Sequence, residues 1–161
     1  GAGMQLVTGG HLRIDVDEFD EHLALASRAE HDGAPSLALD HDLAAVALYR
    51  DQLHVDLPEA DWFALDREHY RTRFVRAAVR AGELLLGHGD IDRSHAVAQR
   101  ALNADPWAED AYAVLVRGAL VRGDRSAARR LLDHCDEALS DLGAAPSPAT
   151  QQLRRRVDQP T

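Results

Sequence analysis

The stretch GDIDRSHAVAQRALNADPWAEDAYAVLVRGALVRGD, residues 89–124, sets the architecture. Gly89-Asp90 opens it and Gly123-Asp124 closes it, 34 residues apart (123 − 89). Glycine ends helices because it tolerates a left-handed backbone, and aspartate starts them by accepting bonds from free amides. Each Gly-Asp pair therefore reads as a turn between two helices. The first covers about 90–103 and stops at Asp105-Pro106, since proline cannot continue a helix. The second covers about 107–122.

Outward from this unit the pattern stays helical. Downstream, a helix runs from about Asp124 to Leu142, ends at Gly143, turns through Pro146-Ser147-Pro148, and is followed by a short helix to about Val157. Upstream, Trp62, Leu65, Tyr70, Phe74, Ala78, Ala81 and Leu85 mark the stripe of a long helix over about 61–86. At 1.5 Å per residue it is roughly 40 Å long. Residues 50–60 read as a loop. Pro35-Ser36 open a helix to about Tyr49, carrying Leu39, Leu43, Val46 and Ala47. Before it, Asp15 or Asp17 is placed to cap a helix with Phe19, Leu23 and Ala26 on one face and Gly33 at its end.

A period of 34 is that of a tetratricopeptide repeat, a helix pair with small residues where the helices touch. Counting one unit from Val75 puts Gly82, Ser94 and Ala101 at those positions and Pro106 at the terminal proline. The next unit, from Glu109, places Ala128 and Cys135 there and has a poorer match at Val116. A weaker third copy has Ala26, Ala38 and Ala45. The expectation is an all-α, tetratricopeptide-like superhelix: three helix pairs plus a C-terminal capping helix, in a right-handed stack. No pair buries its apolar face alone, so the stack folds as a unit.

Leu6-Val7-Thr8 and His11-Leu12-Arg13-Ile14 flank Gly9-Gly10 and read as a short β-hairpin. Gly1-Ala2-Gly3 before Met4 reads as a cleavage scar. The expected organisation is thus a scar and hairpin remnant over 1–14, the helical domain over 15–157 and a tail over 158–161.

Composition narrows the function classes. Apolar residues make up 45% of the 161, enough for a core, with the aliphatic and small side chains dominating. All 18 basic Lys/Arg positions are arginine, which with abundant alanine suggests a GC-rich bacterial genome. A single cysteine, Cys135, excludes an internal disulfide and a multi-cysteine zinc site. No run of 18 apolar residues exists, and the cytoplasm is the expected location. Residues 1–62 carry 3 Arg against 13 Asp and Glu, net −10; the remainder is +1. An acidic first half repels phosphate, so no direct nucleic-acid binding and no membrane association are expected of this chain.

Together these segments resemble the bacterial transcriptional activator domain of SARP-type antibiotic-regulatory proteins, from about Ile14 to Val157. The likeness rests on four places. They are Asp15-Val16-Asp17-Glu18-Phe19 at the entry, and Ala47-Leu48-Tyr49-Arg50 with Asp56-Leu57-Pro58 and Asp61-Trp62. The others are Asp105-Pro106-Trp107-Ala108-Glu109-Asp110, and Asp141-Leu142-Gly143-Ala144-Ala145-Pro146-Ser147-Pro148. Asp51 departs from the family's usual glycine, and Asp141 with Ala144-Ala145 departs from its usual terminal signature. The resemblance implies an actinobacterial transcription regulator in which a winged-helix DNA-binding domain precedes the helical one. Val7-Thr8-Gly9-Gly10-His11-Leu12 would then be the end of that domain's last hairpin. It implies RNA polymerase subunits or a sigma factor, the upstream winged helix and a second protomer as partners. An adaptor module of an ATPase-linked or cyclase-linked signalling protein stays open.

Candidate chemistry is sparse. Glu18 and His22 lie one helical turn apart, and His88 precedes Asp90 and Asp92, but neither set makes a metal-binding spacing. His69 near the long helix's stripe reads as a partly buried, hydrogen-bonded histidine, and Cys135 as a buried thiol. No nucleophile elbow, phosphate loop or dinucleotide fingerprint occurs. No catalytic residue, metal or cofactor is expected. Trp62, Trp107, Gly82, Ala101 and Pro106 read as packing anchors. Charge segregation marks Asp17, Glu18, Glu21, Asp40 and Asp42, with Arg122 and Arg125, as contact residues for a protein partner.

Overall fold

The computed structural model describes residues 10–49 and 61–159, with side chains from Val16 in the first segment and Arg67 in the second. The described residues form seven helices and no strand: α1 (Gly10–His31), α2 (Pro35–Leu48), α3 (Asp61–Gly87), α4 (Ile91–Ala104), α5 (Glu109–Val121), α6 (Arg125–Asp141) and α7 (Pro148–Asp158). α1 packs on α2, α3 on α4 and α5 on α6; α2–α3 and α4–α5 contacts join the pairs, and α7 lies against α5 and α6. This is the expected order of three pairs and a cap.

One expectation fails at the start. Residues 6–8 of the anticipated hairpin lie outside the described residues, but His11–Ile14 are helical and belong to α1. A two-stranded ribbon has little stability alone, and nothing in His11-Leu12-Arg13-Ile14 breaks a helix. Asp17 accordingly lies inside α1 rather than capping it.

The turns are built as read. At Gly89, φ is +80°, and at Gly123 it is +74°. Asp90 N–H reaches back to Leu85 O at 2.9 Å and Gly89 N–H to Leu86 O at 3.0 Å; Asp124 and Gly123 repeat this on Ala119 and Leu120. The same pair of bonds closes α1 and α6. Asp90 then accepts from Arg93 N–H at 3.2 Å and Asp124 from Ala127 N–H at 2.8 Å. One glycine–aspartate dipeptide thus satisfies orphan carbonyls of the outgoing helix and an orphan amide of the incoming one.

The small positions are where the helices meet. Ala26, Ala45, Ala101, Ala128 and Cys135 are fully buried, and Ala38 and Ser94 nearly so. A Cβ on Gly82 would sit 3.1 Å from Val114 Cγ1 and 3.4 Å from Val97 Cγ2, so α4 and α5 both close on α3 there. Ser94 keeps its hydroxyl in this dry contact by donating to Gly82 O at 2.7 Å. Val116, the poor match, is also fully buried. It faces a separate cluster with Leu132, Leu153 and Val157, which includes α7. A larger side chain fits because the capping helix, not another repeat, covers it.

Candidate interaction surfaces

Asp42 is the clearest departure among the expected contact residues. Its side chain is fully buried on α2. Arg80 of α3 grips it with Nε at 2.6 Å and Nη2 at 2.5 Å, and Glu30 of α1 lies 3.5 Å from the same guanidinium. Burial raises the Asp42 pKa above its ordinary 3.8, against the lowering by Arg80. Arg80 is itself held protonated, above all by its bond to Asp42. A charge at 42 is therefore an internal tie between the first two pairs, not a docking group. It sits at a helix position whose exposure the alternating Asp40-His41-Asp42 does not reveal.

Arg125 is also committed internally. It donates to Val157 O at 2.9 Å and Gln159 O at 2.7 Å, satisfying carbonyls at the end of α7. Arg122 pairs with exposed Asp92. The other four, Asp17, Glu18, Glu21 and Asp40, are exposed on α1 and α2. Among the described residues none of the four makes an ion pair. By contrast Asp20 on the same helix is paired with Arg73 at 2.5 Å.

The anchors divide. Gly82 and Ala101 are buried. Pro106 is exposed, as a residue ending one pair before the next begins. The Trp62 side chain lies outside the described residues. Trp107 is 38% exposed rather than packed in the core. Its amide is capped by Asp105 Oδ1 at 3.0 Å, which turns the chain before α5 and leaves the indole at the surface. His69, expected to be partly buried, is exposed, with its ring 5.5 Å from that of Tyr70.

Two arrangements carry no sequence signal. Arg100 on α4 donates to Val46 O at 2.9 Å and Tyr49 O at 2.7 Å, closing the end of α2. It also sits 5.4 Å over the Phe74 ring, which stacks on Tyr49 at 4.0 Å. The second is His22 and His41, whose Nδ1 atoms approach to 3.1 Å between α1 and α2. Among the described residues no group of three or more His, Cys, Asp or Glu side chains converges as a metal site. Cys135 is fully buried, and burial pushes its thiol up to about 11.

An open groove of about 600 Å³ runs along α3. Val75, Arg76, Val79 and Glu83 line one wall, and Trp107 and Asp110 at the start of α5 form the other. A smaller recess of about 110 Å³ lies between α4, α5 and α6 beside Gly118. Among the described residues, no helix is long and apolar enough to cross a membrane.

Stacked helix pairs thus leave four unpaired carboxylates on the first pair and an open groove along a long helix. The family model for the bacterial transcriptional activator domain matches residues 14–158, and the chain belongs to that family. No curated protein matches the chain.

Proposed function

We propose that this domain is the protein-interaction and transactivation part of a SARP-type bacterial regulator. Its unpaired acids, Asp17, Glu18, Glu21 and Asp40, meet a basic face of the transcription machinery, of a second protomer or of the regulator's own DNA-binding domain. One observation carries this reading: these four carboxylates stand exposed on the first helix pair, while Asp20 and Asp42 nearby are neutralised by arginines from α3. Charge left free on one end of a stack steers a partner and selects it by sign.

The work done is recruitment. Contacts with the transcription machinery hold it at the promoter by raising its effective concentration there, with no bond made or broken. Individual exposed pairs contribute about 0.2–1 kcal/mol each, so the set acts together. Reversal of Asp17, Glu18, Glu21 and Asp40 to arginine in the full-length regulator should lower promoter output at least about tenfold, the equivalent of about 1.4 kcal/mol. Thermal unfolding should stay unchanged. Reporter activity equal to the parent's, with the variant folded and expressed, refutes the assignment.

A further inference from the structure

The groove along α3 has the features of a site for a particular kind of polypeptide. Its α3 wall is built by residues 72, 75, 76, 79, 80 and 83, one face of a helix. Val75 and Val79 are half-buried there and pack on the main core. Opposite them Trp107 offers an indole that the fold leaves 38% exposed. Large aromatic surface beside aliphatic side chains in a concave setting is what anchors a partner side chain.

The charge of the groove selects the sign of that partner. Arg76 and Arg80 stand against Glu30, Glu83, Asp105, Glu109 and Asp110, a net of −3 among the lining side chains. Arg80 is already gripped by Asp42. Glu83 faces Arg117 at 3.2 Å, and Glu109 is bound to Thr150 and Ser147. Of the remaining lining charges, exposed Asp110 and half-buried Asp105 outnumber exposed Arg76, and none of the three makes an ion pair among the described residues. A cation over the indole face with a carboxylate beside it is a favourable arrangement that an anion cannot exploit.

From this we infer that the α3 groove binds a segment of another protein carrying arginine together with aliphatic side chains. The arginine lies between Trp107 and Asp110, and the aliphatic groups lie on Val75 and Val79. This rests on the reading of the domain as an interaction module and adds a second surface, distinct from the acids of α1 and α2.

The test uses the whole domain and three fluorescein-labelled peptides. One is an arginine–leucine repeat, one has glutamate for arginine, and one has serine for leucine. Anisotropy should show the arginine–leucine peptide binding at least tenfold more tightly than either other peptide. Trp107→Ala and Asp110→Arg should each weaken it at least fivefold. Glu137→Arg, an equal charge change on exposed α6 away from the groove, should leave it unaltered. Circular dichroism melts should show every variant folded, with Asp110→Arg melting slightly lower because a cation in the first turn of α5 opposes the helix dipole.

Several results overturn the inference. They are no binding of the basic peptide, preference for the glutamate peptide, or equal losses from Asp110→Arg and Glu137→Arg, which would mean bulk acidity alone. A dimer in sedimentation that Trp107→Ala dissociates also overturns it, in favour of a second copy in the groove. Because binding is read without a promoter, its failure leaves the transactivation test standing, and the reverse holds too.

Discussion

Arg80 and Asp42 show what one buried charge demands. Asp42 is fully buried and Arg80 is 28% exposed at its side chain. Replacing Arg80 by Met strands a buried carboxylate, leaving only the weaker influence of His41 in place of the guanidinium. Arg80→Met should cost about 3 kcal/mol, the lower end of the range for breaking such a pair because the guanidinium is partly solvated. Asp42→Asn should cost less, since it removes the charge that needs solvating; denaturant titration of both orders them. The sign with pH follows from the raised pKa of Asp42. As pH rises from below 3.8 through the range just above it, ionising this residue in the folded state is harder than in the unfolded chain, so its contribution to stability falls. In Arg80→Met that fall should be steeper. Cys135 is the other residue set by burial. With its thiol pushed up to about 11 and no exposed surface, it should react with a thiol reagent only as fast as the chain unfolds. Stoichiometric labelling within seconds of mixing in buffer would contradict that.

Among the helices, α7 is tied to its neighbours by polar groups at both ends. Ser147 caps it by accepting from Thr150 N–H at 3.3 Å, and Glu109 of α5 accepts from Ser147 N–H at 2.9 Å and Thr150 Oγ1 at 2.5 Å. Burial acts to raise the Glu109 pKa, but the bonds from Thr150 and Ser147 outweigh it and hold it below the ordinary 4.5. A depressed carboxyl contributes stability above its unfolded pKa and loses it as pH falls through the folded one. Amide exchange in α7 should therefore quicken relative to α4 as pH drops below 4.5, after correction for the intrinsic rate. Glu109→Gln should weaken the α7 cap by about 1–2 kcal/mol at neutral pH and flatten that dependence. The turn glycines act at the same scale. Gly123→Ala forces φ +74° on a side chain and should cost about 1 kcal/mol by thermal melting, although no neighbour lies within 4 Å of the new Cβ.

At the scale of the molecule, burial among the described residues is divided into two clusters. The larger joins the three helix pairs, from Phe19 of α1 through Phe74 and Leu85 to Leu139 of α6. The smaller holds Val116, Ala128 and Leu132 under Leu153 and Val157 of α7. Two buried aliphatic side chains are the main apolar tie of the cap, so Leu153→Ala and Val157→Ala should each lower stability by about 2–4 kcal/mol. The loss should show first as faster exchange in α7 and α6 and only later as global unfolding. Uniform loss of protection across all helices would mean that the two clusters melt as one.

Much of this fold was legible because its signals are local. The Gly-Asp dipeptides at 89 and 123 specify where helices stop and start, through backbone conformation and side-chain caps that need no distant partner. Alanines at 26, 38, 45, 101 and 128 mark close approach because only small side chains allow it. The acids at 17, 18, 21 and 40 were readable as surface charge for the same reason. What escaped depends on which elements lie opposite. Asp42 is buried because Arg80 arrives from α3, Arg125 is occupied because α7 ends beside it, and Trp107 is exposed because Asp105 turns the chain away from the core. His11–Ile14 are helical because nothing in those four residues interrupts the helical run that follows them. By itself the amino-acid sequence determined the helices, their pairing and their ends apart from the start of α1, since capping and periodicity act within a few residues. Only the tertiary structure decided which charges are free and where the groove opens, because those follow from packing between helices distant along the chain.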